Sequence, residues 1–445
     1  MISTVLRNAD DLTALLSSAG VIVFLSTLWV ESDAYRYVGL LLVLSALAIY
    51  LRNMLGDPAR PRIGYAGIIC LAWTILVAFK VLLAAGETGS FDVGSAEGIY
   101  LFAALYPTLG HSFEMLRVDW QLVSKSFIIF TSVALAASFD TAYFDAQNAI
   151  PPLFFNNPIH ASFACAVLLI AHIQLFVTAP RAAPAFFGRA WVGKTLIAVN
   201  IALAGFYILM LNSKGVWLAL AITVCATLPI SLIGRKITPV FVASGFALVV
   251  VATSALLFSP RVERVAGETV ASVQSFVEQG VSGESVTDAM LETVDNPQTP
   301  ESLRIRMEIM YDAVRIWQRA PILGHGPSWE TLWEDRRFQE HDFNLLHNGY
   351  LEIMVRHGLF GIGFYTFILG WSLTQMIKAA RHGLTSHTVW KTAALLLVFF
   401  ASAQMTNSYT RLAAGESFMW LFSAVGFYFA YKMQQAGIIR PRTFI

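Results

Sequence analysis

Long apolar stretches alternate with short polar ones along most of the chain, at residues 12–30, 37–51, 63–85, 97–116, 122–139, 158–178, 192–211, 215–234, 237–258, 347–377, 388–406 and 416–432. A helix needs roughly 17–25 apolar residues to cross a bilayer, so the pattern predicts about twelve spans. The stretch 37–51 is short, and His111, Glu114 and Arg117 crowd the end of 97–116. The first stretch has no strongly basic leader and is followed quickly by another, which predicts a retained helix rather than a cleaved signal. Between 259 and 346 the pattern changes. Residues 302–319 repeat at helical spacing, with Ile305, Ile309, Ala313, Ile316 and Trp317 on an apolar face. Arg304, Glu308, Asp312, Arg315 and Arg319 make a polar face with ion pairs three and four residues apart. Pro321 through Gly326 stops that helix, and 280–300 reads as a mobile excursion. The expectation is an all-α polytopic membrane protein in three parts: nine spans in 1–258, a partly helical cap loop at 259–346, and three spans with a tail in 347–445.

Charge orients the spans. Alternate loops carry Arg52, Arg60 and Arg62, then Arg117 and Lys125, then Arg181, Arg189 and Lys194, then Arg235 and Lys236, then Lys378, Arg381 and Lys391, then Lys432, Arg440 and Arg442. These loops are expected to be cytoplasmic, whereas those holding Glu31 and Asp33, Glu87 and Asp92, and Asp140 and Asp145 face outward. Both termini then lie inside and the long loop outside.

Composition agrees, with 56% hydrophobic and 13% charged residues against roughly 45–50% and 25% in soluble domains. The net charge of +1, with no basic tract and no glycine-rich phosphate loop, argues against a nucleic-acid partner and nucleotide-driven work. Cys70, Cys165 and Cys225 lie inside apolar runs without ligand spacing and read as small core hydrophobes. No Asp-x-Asp or His/Cys/carboxylate spacing demands a metal, and neither metal nor cofactor is expected.

The candidate chemistry gathers near the end of the cap. His347-Asn348-Gly349-Tyr350-Leu351 opens an apolar helix, and at helical spacing His347, Leu351, Met354, Gly358, Gly361 and Tyr365 share one stripe. Polar groups there are costly unless they line a cavity, and small residues let another helix approach closely. The plainer reading is a helix start with Asn348 near its cap. Arg306 breaks the face pattern, lying near the apolar edge with Met310 and Trp317; either it points into a cleft or its stem snorkels over apolar surface. Lys214, after Ser213 at an outward helix end, is an interfacial snorkel or a phosphate contact. Lys80, near the outward end of 63–85, is a secondary phosphate candidate because an unpaired charge is costly there. Arg411 reads first as a solvated loop charge, second as a guide for an anionic substrate. Trp329, Trp333, Phe338 and Phe343 suit either sugar stacking or interfacial anchoring.

Arg306 with Tyr311 and Trp317, Pro321-x-x-Gly324-x-Gly326, and His347-Asn348-x-x-Leu351-x6-Gly358-x-x-Gly361, in this order and spacing, resemble the O-antigen ligase and polymerase superfamily of bacterial envelopes. Leu211-Asn212-Ser213-Lys214-Gly215 resembles the family's Ser-Arg-Gly, with lysine in place of arginine. Asn157-Pro158-Ile159-His160 is a short further likeness. The first 140 residues carry none. The resemblance covers about 150–430 and implies an architecture like that of GT-C-type glycosyltransferases, multi-pass in the bacterial inner membrane with the active site facing the periplasm.

It also implies transfer of a glycan from undecaprenyl diphosphate to an acceptor hydroxyl. Such a protein binds two phosphates, stabilises the departing diphosphate and deprotonates one hydroxyl. On this reading Arg306, Lys214 and Lys80 hold the diphosphate, arginine through its bidentate fork and lysine as a point charge. His347 is the general base, its unperturbed pKa near 6.5 suiting the task. Asn348, Ser213, His160 and Arg411 are supporting candidates, and Glu330, Glu340, His341 and His325 compete with His347. With a lipid A–core sugar as acceptor the protein is a ligase, the reading favoured here; with another carrier-linked repeat it is a polymerase of O-antigen or exopolysaccharide. A secondary transporter is the alternative of another class, although the halves show no repeat symmetry. A structural membrane protein gives no reason for Arg306 or His347.

Overall fold

The computed structural model describes residues 2–54, 64–89, 97–139, 151–178, 189–233, 285–340 and 345–438, with 274 and 278 besides. In chain order its helices are α1 (Ile2–Ser26), α2 (Ala34–Met54), α3 (Tyr65–Thr88), α4 (Gly98–Leu101), α5 (Tyr106–Met115), α6 (Trp120–Ala137), α7 (Pro158–Thr178), α8 (Ala190–Leu211), α9 (Lys214–Leu232), α10 (Val286–Asp295), α11 (Glu301–Arg319), α12 (Trp329–Glu334), α13 (Gly349–Arg381), α14 (His387–Ala403) and α15 (Ala413–Gln435). Among the described residues six helices, α3, α6, α7, α8, α9 and α13, are long and apolar enough to cross a membrane. Shorter apolar stretches lie in α1, α2 and α14. The apolar run 237–258 and most of 259–284 fall outside the described residues. Run 97–116 is not one helix but α4, a 3-10 turn and α5. Pro107 sits in the first turn of α5, where its missing N–H is harmless and a new helix starts readily.

Outward-facing Ile75, Phe79, Leu82 and Leu83 on α3 are exposed, as hydrocarbon-facing positions should be. The helix interior is aromatic: Trp73 of α3 stacks on Phe364 of α13 with ring centroids 4.3 Å apart. Cys70 and Cys165 are buried as expected, whereas Cys225 is exposed.

Helix ends gather in one layer. Thr27, just past α1, shares a 2.6 Å hydrogen bond with Ser417 in the first turns of α15. Arg36, at the start of α2, donates to Glu416 through Nε at 3.1 Å. Gly215, at the start of α9, lies so close to Thr406, just past α14, that a Cβ would overlap its hydroxyl. The ends of α1 and α14 and the starts of α2, α9 and α15 therefore lie together. At the other end Lys432 of α15 approaches Glu114 of α5 to 4.0 Å.

The cap rests on that first layer. Its helix α11 matches the stretch predicted from periodicity, and Leu303, Met307, Ile309, Ala313, Val314 and Ile316 are buried. Two expectations need correction. Residues 286–295 form α10, with Ser285 accepting from the Asp288 amide at 3.2 Å, because Met290 and Val294, four residues apart, bury against the same apolar cluster as Leu303 and Met307. Asp312 is buried rather than solvated, since its carboxylate accepts from the backbone amides of Arg337 and Phe338 at 3.1 and 3.0 Å.

Helix α13 is broken inside. Gly358 has φ 63° and ψ −162°, a conformation essentially reserved for glycine. The break frees backbone groups at membrane depth, where each must find a partner. The 321–326 loop supplies them: Leu359 and Phe360 donate to the Pro321 and Ile322 carbonyls, both at 2.9 Å, and His325 donates to the Val355 carbonyl at 2.9 Å. Gly324 is the reciprocal fit, for a Cβ there would strike the backbone at Arg356 and His357. The proline–glycine motif and the histidine-helix glycine are therefore two halves of one joint. From Gly358 to Arg381 the helix rises roughly 35 Å at 1.5 Å per residue, enough to span about 30 Å of hydrocarbon alone. Residues 349–357 can then belong to the layer beneath the cap.

Candidate functional site

Three segments meet in that layer: α11, the turn before α13, and the loop joining α14 to α15. His347 takes a left-handed backbone, φ 50°, just ahead of the helix. Asn348 does what the plainer reading assigns it, its Oδ1 accepting from the Tyr350 and Leu351 amides at 3.0 and 3.2 Å. Its Nδ2 donates to the Met405 carbonyl at 3.4 Å, and the Gly349 amide donates to the Gln404 carbonyl at 2.7 Å. These bonds lay 404–407 directly alongside the histidine turn.

Asn407, 6% exposed, lies close enough to His347 and Tyr409 to act on the ionisation of both. Arg306 projects from α11 close enough to interact with Tyr409 and with His347. It is half-buried, and burial lowers its pKa from the ordinary arginine value while Tyr409 pulls the other way. Among the described residues no carboxylate pairs with it. His347 is likewise lowered from the ordinary imidazole value, first by burial and then by Arg306, with Asn407 and Glu352 opposing. The imidazole is thus biased toward its neutral form.

Behind this face lies a buried charge network. Glu352 and Arg356 on α13 are fully buried, Glu97 nearly so. Arg356 pairs closely with Glu97 and donates through Nε to Glu352 at 2.9 Å. Arg411 donates to the same Glu352 oxygen at 3.0 Å, which corrects its reading as a solvated charge: a buried carboxylate binds it. The other Glu352 oxygen accepts from Ser408 at 3.4 Å and from the Leu346 amide at 3.5 Å. Glu352 therefore clamps the histidine turn and the 404–411 loop to one helix.

The remaining candidates fall around this core. Lys214 is the first residue of α9 and Ser213 its N-cap, without a side-chain capping bond; Gly215 against Thr406 sets that helix start beside the loop. Lys80 braces the joint, its ammonium donating to the carbonyls of Leu323, Gly324 (3.4 Å) and Arg356 (3.2 Å). His160 meets Glu31 at 3.3 Å beside a small pocket that Tyr409 also lines. Of the competing bases, Glu330 is half exposed and 3.8 Å from Arg356. His325 is bonded through its ring to the Ile316 carbonyl at 2.8 Å, Glu340 is exposed, and His341 lies outside the described residues. Trp329 and Trp333 are buried, and Arg356 lies 4.7 Å over the Trp329 ring.

Asn407, Tyr409, Glu352, Arg356 and Glu97 are absent from the sequence-derived set. A signal existed for two of them: Glu352 and Arg356 stand four residues apart inside an apolar run, where charges must pair. Asn407 and Tyr409 lie in Gln404–Arg411, a polar interval between two apolar runs that offers no spacing to mark one residue over another.

Among the described residues the fold is all helical, with six helices long and apolar enough to cross a membrane, and the cap helix α11 packs over the layer that holds the site. Residues 199–366 match the family described as O-antigen ligase. That stretch runs from α8 into α13 and is similar to the domain of that family. It includes Lys214, Arg306, the 321–326 loop and His347, and ends before Asn407 and Arg411. No curated protein matches the chain.

Proposed function

We propose that the protein transfers a glycan from undecaprenyl diphosphate to an acceptor hydroxyl at the periplasmic face of the inner membrane. One observation carries the reading: a half-buried arginine, with no carboxylate partner among the described residues, stands beside a histidine biased toward neutrality. Arg306 binds the diphosphate bidentately, and Lys214 adds a point charge at a helix start whose dipole also favours an anion. Lys80 serves by holding the cap loop in place.

His347 takes the proton of the acceptor hydroxyl as its oxygen attacks the anomeric carbon. The bond from that carbon to the diphosphate oxygen breaks, and the electron pair leaves with the diphosphate, whose charge the cations stabilise. Direct displacement inverts the anomeric configuration. A general base of this kind is worth about 10²–10⁴-fold.

A lipid A–core sugar is the acceptor we favour, making the protein a ligase; the same chemistry serves a repeat-unit polymerase. Deleting the gene and analysing glycolipids tests both. A lost ligase leaves carrier-linked polymer beside unmodified core, a lost polymerase leaves single repeats, and an unchanged glycolipid profile refutes the reading. Purified protein is expected to keep its activity in chelator; loss there overturns the metal-free route.

A further inference from the structure

We infer that the outer face of the cap, around Arg315, Arg337 and Phe338, binds acidic sugar units of the glycan being transferred. The inference rests on the transfer reading above and names the chemical class of its glycan, one that carries carboxylate or phosphate groups.

The surface is built by a carboxylate that leaves it. Helical spacing puts Asp312 beside Arg315 on the polar face of α11, yet its two oxygens turn inward and accept from the Arg337 and Phe338 amides at 3.1 and 3.0 Å. Those bonds carry the 336–338 turn back onto the helix. Arg336 fixes the turn from its other side, donating through Nε and Nη1 to the Phe338 and Trp333 carbonyls, both at 3.1 Å. The Arg337 guanidinium then lies 5.7 Å from the centre of the buried Tyr311 ring and 5.3 Å from that of Phe338. Arg315 lies 5.8 Å from the same Tyr311 ring, and Phe338 meets that ring edge-on at 5.9 Å. Two guanidinium groups thus share one aromatic ring.

Both arginines are exposed. On this face of α11 Arg304 pairs with Glu308 at 4.0 Å, whereas among the described residues neither Arg315 nor Arg337 pairs with a carboxylate. The ring attracts each cation, but the cations repel one another, and an anion set across them relieves that repulsion. Guanidinium groups match carboxylate and phosphate oxygens through a planar fork. Phe338 is half-buried and adds an apolar edge against which a sugar ring can pack, while Trp329 and Trp333 are buried. A neutral sugar would leave both charges unmatched, and an inorganic anion would leave the aromatic edge uncovered. An acidic sugar satisfies both.

Position separates this surface from the donor's diphosphate. Arg315 follows Arg306 by about two and a half turns and roughly 13 Å along the axis, so the two side chains leave opposite sides of α11. Arg306 is half-buried and Arg315 exposed. A diphosphate held at Arg306 does not reach the outer face; the glycan that it carries, passing round the cap, does.

The test is direct binding to the purified full-length protein, with oligogalacturonate as the acidic saccharide, maltooligosaccharide of the same length as its neutral counterpart, and inorganic phosphate as the bare anion. Oligogalacturonate is expected to bind several-fold tighter than either, with an affinity that falls as salt is added, because exposed charges are screened. Arg315→Gln combined with Arg337→Gln keeps the surface polar and should weaken that binding about fivefold to tenfold, as expected for the loss of two exposed charge contacts. The salt dependence of the wild-type protein can be read even where the double variant does not accumulate. Equal binding of the two oligosaccharides overturns the inference, and is also the result if the chain's own carboxylates neutralise the arginines. Full displacement by equimolar phosphate, or unchanged affinity in the double variant, overturns it as well. Failure of binding while transfer proceeds removes this inference alone; binding that holds while gene deletion leaves the glycolipids unchanged removes the transfer reading instead.

Discussion

Arg306 and Arg356 are the same residue in the same layer with opposite surroundings. Arg356 is fully buried between Glu97 and Glu352, while Arg306 is half-buried and faces Tyr409 and His347, with no carboxylate partner among the described residues. A buried cation already matched by two anions has no capacity for a third. An unmatched one pays a desolvation cost that only an incoming anion relieves. On the proposed reading, the difference separates a cation that builds the site from one that binds the donor's diphosphate. It is broken most directly by Arg306→Ala, expected to abolish transfer while the protein remains folded and inserted, as activity and gel filtration would report. Near-normal transfer in that variant removes Arg306 from the donor site. Arg356→Ala should fail differently, by stranding the buried Glu97 and leaving Glu352 to Arg411 alone, at about 3–5 kcal/mol of stability. Thermal unfolding of the purified protein measures it, and an unchanged melting temperature would show that the network is not structural.

His347 lies on the Arg306 side of that divide. Its replacement by alanine is expected to reduce kcat by about 10²–10⁴-fold with little effect on unfolding, and full turnover would pass the role of base to Glu330, Glu340 or His341. The pH profile sharpens the point. Burial and Arg306 lower the His347 pKa, and a base works deprotonated, so kcat should fall only as pH drops through a value below the ordinary 6.5. An acid limb above that value would mean that the titrating group is not this histidine.

What the sequence made legible follows from how local each signal is. Six of the twelve predicted spans and the cap helix rest on periodicity, and among the described residues they appear where expected. Asp312 and Arg411 were misplaced because their partners, the Arg337 and Phe338 amides and Glu352, are brought in by tertiary packing from 25, 26 and 59 residues away. The break at Gly358 was equally hidden. A helix with two glycines three residues apart reads as a close helix contact, whereas the structure uses Gly358 to admit a loop from the cap. Asn407 lacked any local mark, since its neighbours His347 and Tyr409 are gathered by the fold.

The smallest expected effects come from exchanging one cation for another, and they separate the two donor cations from each other. Arg306→Lys keeps the charge but loses the planar fork, so it should recover little of the activity that alanine removes. Lys214→Arg should be tolerated, with kcat/KM within about twofold of wild type, because a point charge at the start of α9 is replaced by a larger cation of the same sign. Space permits it: Lys214 is half-buried rather than enclosed, and the tight contact at this helix start belongs to its neighbour, Gly215 against Thr406. Both variants are compared by donor KM in the same assay. If Arg306→Lys were as active as wild type, charge alone would suffice and the bidentate reading would fall. If Lys214→Arg were inactive, the lysine would be fitted to its position as closely as the glycine beside it, and its part would be in the packing of α9 against the loop rather than in phosphate binding.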